Sequence, residues 1–244
     1  MLRHDGRTST QMRPIKITPH FTKNPAGSVL IEFGDTRVLC TVCVDDNVPP
    51  FLRNVSPPKG WLTAEYSMLP SSTQTRTRRE RPSPSGRSQE IQRLIGRSLR
   101  GIIDLNLCPD MTFLIDCDVL QADGGTRTAS ITGAYVALKI CIDQLLRTGR
   151  LKQNPLKDAV CAVAIGLRED EILVDLDYEE DSQVDLDMNV ILTQSGKILE
   201  IQGTAERQAF TKEQVNKIID AAESALEPCF ELQATAADGI EVEG

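Results

Sequence analysis

Between residues 29 and 44 the chain carries two apolar, β-branched runs, Val29–Phe33 and Thr36–Val44, separated by Gly34-Asp35. That pattern predicts a β-hairpin. Trp61–Leu69 and Thr112–Leu120 read as further strands. From Ser88 to Ile103 the period changes to that of a helix. Ile91, Leu94, Ile95, Leu99, Ile102 and Ile103 form an apolar stripe, while Arg93, Arg97 and Arg100 recur on another face. The stretch Ala129–Leu146 is almost wholly apolar and predicts a buried helix. In the second half, Ala159–Gly166, Glu171–Leu176, Met188–Leu192 and Lys197–Gly203 read as strands, with Gln194-Ser195-Gly196 turning the last pair. Thr211–Glu227 predicts a helix opened by a Thr211/Gln214 capping box and buried through Val215, Ile218, Ile219 and Ala222. Each half is a sheet with a covering helix. The expectation is an α/β (α+β) core over residues 1–230, made of two similar βαβ-type subdomains at about 10–150 and 151–230. An acidic tail at 231–244 is expected to fray.

Composition changes this picture in two places. The 244 residues carry a net charge of −8, which alone argues against a nucleic-acid partner. Yet residues 71–100 hold eight arginines against two acids, and residues 169–187 hold ten acids with no lysine or arginine. Concentrated patches, not averages, decide which ligand is drawn in, and a polyanion together with a divalent cation suits both patches. The loop arginines Arg76, Arg78, Arg79 and Arg81, with the helical Arg93, Arg97 and Arg100, are candidate RNA contacts. A subunit contact or a solvated face laced with salt bridges reads the same way.

Seven cysteines lie mostly inside apolar runs, as reduced thiols of the core do. Cys40 and Cys43 point to opposite faces of one strand and make no metal pair. No stretch approaches a membrane span. The opening MLRHDGRTSTQMR has no apolar signal region, so the chain is expected to stay in the cytoplasm, where it is made. Only His4 and His20 could supply imidazole, and no Walker, Rossmann or nucleophile-elbow motif occurs.

The segment Gln121–Ser130, QADGGTRTAS, joins a strand to the long apolar helix. Gly124 and Gly125 allow close approach of an oxyanion, the helix N-terminus offers N–H groups, Thr126 and Thr128 offer hydroxyls, and Arg127 offers a planar fork. A strand-to-helix turn with an N-cap would look alike. Asp181 and Asp187 bracket DSQVDLD at a strand mouth, where carboxylates can hold a hard cation. Asp175, Asp177 and Asp185 could serve equally well, as could a plain acidic loop.

Eight segments in order, among them R-x-D-G-R at Arg3–Arg7, QMRPI at Gln11–Ile15, GRSQEIQRLIGRSLR at Gly86–Arg100, DCDVLQADGGTRTASITGA at Asp116–Ala134, EEDSQVDLDMNV at Glu179–Val190 and EIQGTAE at Glu200–Glu206, resemble the ribonuclease PH family. The resemblance implies subdomains like ribosomal protein S5 domain 2 and a homohexamer built as a trimer of dimers. It implies a phosphate-dependent 3′→5′ exoribonuclease that trims tRNA precursors and other RNA 3′ ends and works without a membrane. Inorganic phosphate would be co-substrate, bound at Arg87, Gly125, Thr126 and Arg127. Mg2+ and the catalytic function would fall to Asp181 and Asp187. Asn189 stands where a related enzyme core has lysine.

Overall fold

A computed structural model describes residues 3–80, 84–205 and 209–244. The predicted hairpin is present as β2 (Gly27–Phe33) and β3 (Thr36–Asp45), with β1 (Ile15–Pro19) antiparallel to β2. Chain 61–121 forms β4 (Trp61–Met68), α1 (Gly86–Gly101) and β5 (Thr112–Gln121), with β4 and β5 parallel because a helix connects them. Next comes α2 (Thr126–Arg147). The second half holds β6 (Val160–Arg168), β7 (Glu171–Val174), the short α3 (Tyr178–Asp181), β8 (Leu186–Thr193), β9 (Ile198–Ala205) and α4 (Lys212–Ala237). A final strand, β10, is Val242–Glu243. One sheet runs β10-β1-β2-β3-β5-β4 and the other β7-β6-β8-β9.

The helices join the sheets into one core. α2 packs on β2 and β3 and also on β6, while α4 packs on β6, β1 and α2. That double coverage explains why α2 lacks a polar face. By length and composition it could cross a membrane, with a mean hydropathy of 1.3, contrary to the sequence expectation. Instead, 78% of that apolar window is buried inside the protein. Close approach is enforced at Gly27, where a Cβ would stand 1.9 Å from the Ala137 carbonyl oxygen of α2. On α1 the predicted stripe is buried at Ile91, Leu94, Ile95 and Leu99. Each such side chain contributes roughly 1.5–3 kcal/mol relative to exposure.

The tail differs from expectation. α4 does not stop before Pro228 but continues to Ala237. Proline removes one helical hydrogen bond, and burial of Cys229, Phe230 and Ala236 offsets that loss. Gln233 also holds the helix in place, donating from Nε2 to the carbonyls of Thr132 (3.1 Å) and Val160 (2.9 Å). Beyond it, the acidic tail pairs Val242 with Ile17 and Glu243 with Lys16 rather than fraying, because β1 would otherwise leave an open sheet edge.

Candidate active site

The Gly-rich turn ends β5 and opens α2. Gly124 and Gly125 have φ of 71° and 62°, successive left-handed residues of the kind that only glycine adopts freely. A Cβ on Gly124 would stand 2.6 Å from both the Leu176 carbonyl oxygen and the Asp177 carbonyl carbon, so only glycine lets this turn touch the acidic segment. Gly125 is the N-cap of α2 and contributes no side chain to cap it. The first-turn N–H groups are therefore left without a side-chain cap, at the positive end of the helix dipole. Thr36 steadies the turn, its Oγ1 donating to the Gly124 carbonyl (2.6 Å) and accepting from the Asp123 N–H (2.9 Å).

Thr126 holds its hydroxyl 2.8 Å from that of Tyr66 on β4. Burial pushes the Tyr66 phenol above its ordinary range, which keeps it protonated. Thr128 does not serve as expected. It is fully buried and donates back to the Gly125 carbonyl at 2.8 Å, so its hydroxyl is unavailable to a ligand. Arg127 is 18% exposed, with Nη1 3.4 Å from Glu90 Oε1 of α1. Arg87, in the first turn of α1, is exposed and makes no ion pair with a described acid.

Arg87, Gly125, Thr126 and Arg127 line the same small cavity, about 70 Å³, as Asp181 and Asp187. Ala164, Leu176 and Asn189 complete its wall. Asp181 ends α3 and Asp187 lies in β8 opposite Gly166 and Thr204. A larger hollow of about 370 Å³ lies elsewhere, walled by Glu65, Asp116 and Asp118. Burial, with Glu65 alongside, pushes both aspartates up, and such an acid-lined wall repels phosphates.

The remaining acids of residues 169–187 are sorted by an arginine lattice that sequence reasoning missed. Arg3 grips both carboxylate oxygens of Glu180 and donates to the Val174 carbonyl at 2.6 Å and the Asp175 carbonyl at 3.0 Å. Arg7 donates to the Asp175 carbonyl at 3.0 Å, with Asp177 and Glu180 3.7 and 3.6 Å from its Nη2. Arg13 holds Asp175 in a two-pronged grip, Nε to Oδ2 at 2.8 Å and Nη2 to Oδ1 at 2.7 Å. Asp175 is thus enclosed, and Asp177 caps α3 while accepting from His4 Nε2 at 2.7 Å. Burial raises the Asp177 carboxyl, but the Glu180 N–H and His4 outweigh it and hold it below the usual range. Asp185 accepts from the Glu169 N–H at 3.1 Å. Of the candidate carboxylates, Asp181 and Asp187 are the ones lining the cleft. The only advance signal was the arginine-rich N-terminus, whose partners among these acids lie more than 160 residues away.

His4, Asp177 and Glu180 bring ligand atoms within 4.8 Å of one another. Because Arg3 occupies Glu180 and Arg7 stands beside both carboxylates, an added cation there would meet guanidinium charge. Asp181 and Asp187 instead offer oxygen donors of the kind magnesium takes, on two elements facing one cleft.

The RNA-contact candidates separate likewise. Arg76, Arg78, Arg79 and Arg93 are exposed, and Arg81 lies outside the described residues, as does Glu206 of the EIQGTAE segment. Arg97 pairs with Glu200 of β9. Arg100 donates to the Leu62 carbonyl at 3.0 Å and lies 5.0 Å over the Trp61 ring, which makes it a tether between α1 and β4.

Residues 11–142 match the 3′ exoribonuclease family, domain 1, and residues 158–225 match domain 2 of the same family. Proteins named Ribonuclease PH are similar over nearly the whole chain. The one from Moorella thermoacetica is 51% identical, covering 96% of this chain and 93% of its own. Those of Neisseria meningitidis serogroup C and Bacillus subtilis are 52% and 50% identical, each over 95% of this chain and over 96% and 95% of their own. Rice (Oryza sativa) Rrp46 superposes with a TM-score of 0.80 at 20% identity, covering 97% of this chain and 100% of its own. A chain of the Archaeoglobus fulgidus exosome with RNA bound to the active site gives 0.79 at 21%, covering 94% of this chain and 92% of its own.

Proposed function

The chain belongs to the 3′ exoribonuclease family of ribonuclease PH, and from that premise we propose how its cleft performs the reaction. The protein is a phosphate-dependent 3′→5′ exoribonuclease of tRNA processing, a phosphorolytic nucleotidyltransferase. The observation that carries the site assignment is the convergence of Arg87, Arg127, Gly125 and Thr126 with Asp181 and Asp187 on one cavity.

Inorganic phosphate sits against the first turn of α2, with the Thr126 hydroxyl held by Tyr66 and the guanidinium groups of Arg127 and Arg87 around it. One phosphate oxygen attacks the terminal phosphodiester, the bond to the 3′-oxygen breaks, and a nucleoside 5′-diphosphate leaves. The shortened RNA ends in a new 3′-hydroxyl. Repulsion between nucleophile and backbone would be prohibitive in water, and fixed arginine charge in a confined cleft offsets it. Phosphate is already an oxyanion, so the protein need not remove a proton from it. The scarcity of histidine is then no obstacle. Asp181 and Asp187 would hold Mg2+, which when bound supplies positive charge for the leaving oxygen. The ester exchanged is close in energy to the diphosphate formed, so the reaction runs backward when phosphate is scarce.

The exposed Arg76, Arg78, Arg79 and Arg93 suit contact with tRNA precursors or with other subunits of a homohexameric ring, and the setting is the cytoplasm. Incubating the protein with a short RNA, with and without phosphate, tests the reading. Nucleoside diphosphate should appear only with phosphate, and excess diphosphate without phosphate should lengthen the RNA. Release of nucleoside monophosphate in phosphate-free buffer would replace phosphorolysis by hydrolysis.

A further inference from the structure

The arginine lattice does more than sort acids. Arg13 touches both halves of the cleft. On the second-half side its guanidinium grips Asp175 and lies 3.4 Å from the Leu176 carbonyl oxygen, and its own N–H donates to Asp175 Oδ2 at 2.9 Å. On the first-half side, Nη1 donates to the carbonyl of Asp123, the residue that enters the Gly-Gly turn. The guanidinium packs closely on that turn, since a Cβ on Gly125 would be 3.0 Å from Nη2. Arg13 is 5% exposed and Asp175 0%. Moreover, Asp175 holds a φ of 55°, a left-handed conformation that side chains rarely adopt. Aspartate reaches this region more readily than most side chains, and here the two-pronged Arg13 grip fixes its carboxylate.

We propose that Arg13 is a positioning residue: one buried guanidinium sets the spacing between the turn that holds inorganic phosphate and the segment that carries the catalytic carboxylates. The inference rests on the phosphorolytic reading above. Phosphate is seated by Gly125–Arg127 in the first half, whereas Asp181 and Asp187 belong to the second, so attack requires the two halves to hold one register. A reaction between two bound partners depends steeply on their separation, and misplacement by about 1 Å can cost on the order of 10²-fold. Arg13 also neutralises Asp175, whose carboxylate would otherwise stand directly behind the phosphate turn. A lysine could answer that charge but could not reach Asp175, Asp123 and Leu176 together, because it lacks the planar fork.

The test uses two variants of the full chain, both read against phosphate-dependent diphosphate release by the unaltered protein. Arg13→Gln with Asp175→Asn removes both buried charges together, and asparagine tolerates the left-handed φ. Its kcat should fall on the order of 10²-fold. Its KM for phosphate, and the rise in thermal midpoint that inorganic phosphate produces, should stay near those of the unaltered protein, because the turn itself still binds. Arg13→Lys keeps the charge and should stay folded with a modestly lower thermal midpoint, because the Asp123 and Leu176 carbonyls lose a donor, yet lose kcat in the same sense. A kcat within about twofold of the unaltered protein in Arg13→Lys overturns the proposal, whether or not the double variant folds. So does a double variant in which phosphate no longer stabilises, since Arg13 would then be a mere support of the turn. Failure of the unaltered protein to release diphosphate, seen before any variant is made, would remove the phosphorolytic reading itself.

Discussion

Arg3, Arg7 and Arg13 lie buried against Asp175, Asp177 and Glu180, whereas Arg87 and Arg127 line an open cleft with Asp181 and Asp187. The residue types are the same, and their duties differ. In the buried lattice Arg3 and Arg13 meet carboxylates and carbonyls, and Arg7 donates to the Asp175 and Gln11 carbonyls while its Nη2, 3.6–3.7 Å from Glu180 and Asp177, has no hydrogen-bond partner among the described residues. The cleft leaves Arg127 with a long contact to the half-exposed Glu90 and gives Arg87 no described acid, which under the proposed reading leaves both to inorganic phosphate. Pairing and burial, rather than charge, therefore separate scaffold from chemistry.

The largest effect expected from this contrast falls on the open side. Arg87→Ala or Arg127→Ala should cut phosphorolysis by on the order of 10²–10⁴, the range for removing a charge-stabilising donor. RNA binding should suffer less. Near-normal turnover at limiting phosphate in either variant would break the contrast. Next come the carboxylates. Asp187→Asn, and to a similar or smaller degree Asp181→Asn, should lower activity about 10²–10³-fold with the thermal midpoint unchanged, because an amide oxygen partners a divalent cation poorly. Unaltered activity and magnesium dependence in both would return those residues to the class of surface acids.

On the buried side, the loss should appear as stability. Arg3→Ala strands Glu180 and three carbonyls, which should cost about 3–5 kcal/mol in denaturant unfolding. Arg97→Ala, removing a pair whose side chains are 49% and 20% exposed, should cost only about 0–1 kcal/mol. Equal costs would erase the distinction between the two regions. A smaller effect concerns the exposed loop. Each phosphate contact on single-stranded RNA contributes about −0.7 to the slope of log affinity against log salt, so Arg76→Ala/Arg78→Ala/Arg79→Ala should flatten it by roughly two units. An unchanged slope with dimers in place of a ring would assign these arginines to assembly.

The smallest effect belongs to His4 at the rim of the lattice. Its hydrogen bond to Asp177, with the charges of Asp177, Glu179 and Glu180, raises its pKa above 6.5. A folded-state pKa above the unfolded one adds stability that is fully present below the unfolded value and is lost as pH rises through the folded value. The difference in thermal midpoint between the unaltered protein and His4→Ala should therefore shrink from about pH 5 to about pH 8. A constant difference would show that the imidazole charge plays no part.

Much of the architecture was legible because its causes are local. The β2–β3 hairpin follows from two apolar runs around Gly34-Asp35, the α1 stripe from helical spacing, and the strand-to-helix turn from adjacent glycines before an apolar helix. The family resemblance placed the six cleft residues at their positions, and the fold gathers them. Other features were decided by tertiary contact. Thr128 looked like a ligand donor until the first turn of α2 buried it, and Glu227 looked like a helix end until Gln233 and Phe230 drew the helix past Pro228. Asp175, Asp177 and Asp185 were indistinguishable from Asp181 and Asp187 because a carboxylate in sequence carries no sign of its partner. Local spacing sets which elements form, since dihedral preference and side-chain period act over a few residues. Which arginine a given carboxylate meets depends on groups such as Arg13 and Asp175, 162 positions apart, that meet only when the sheets close on α2.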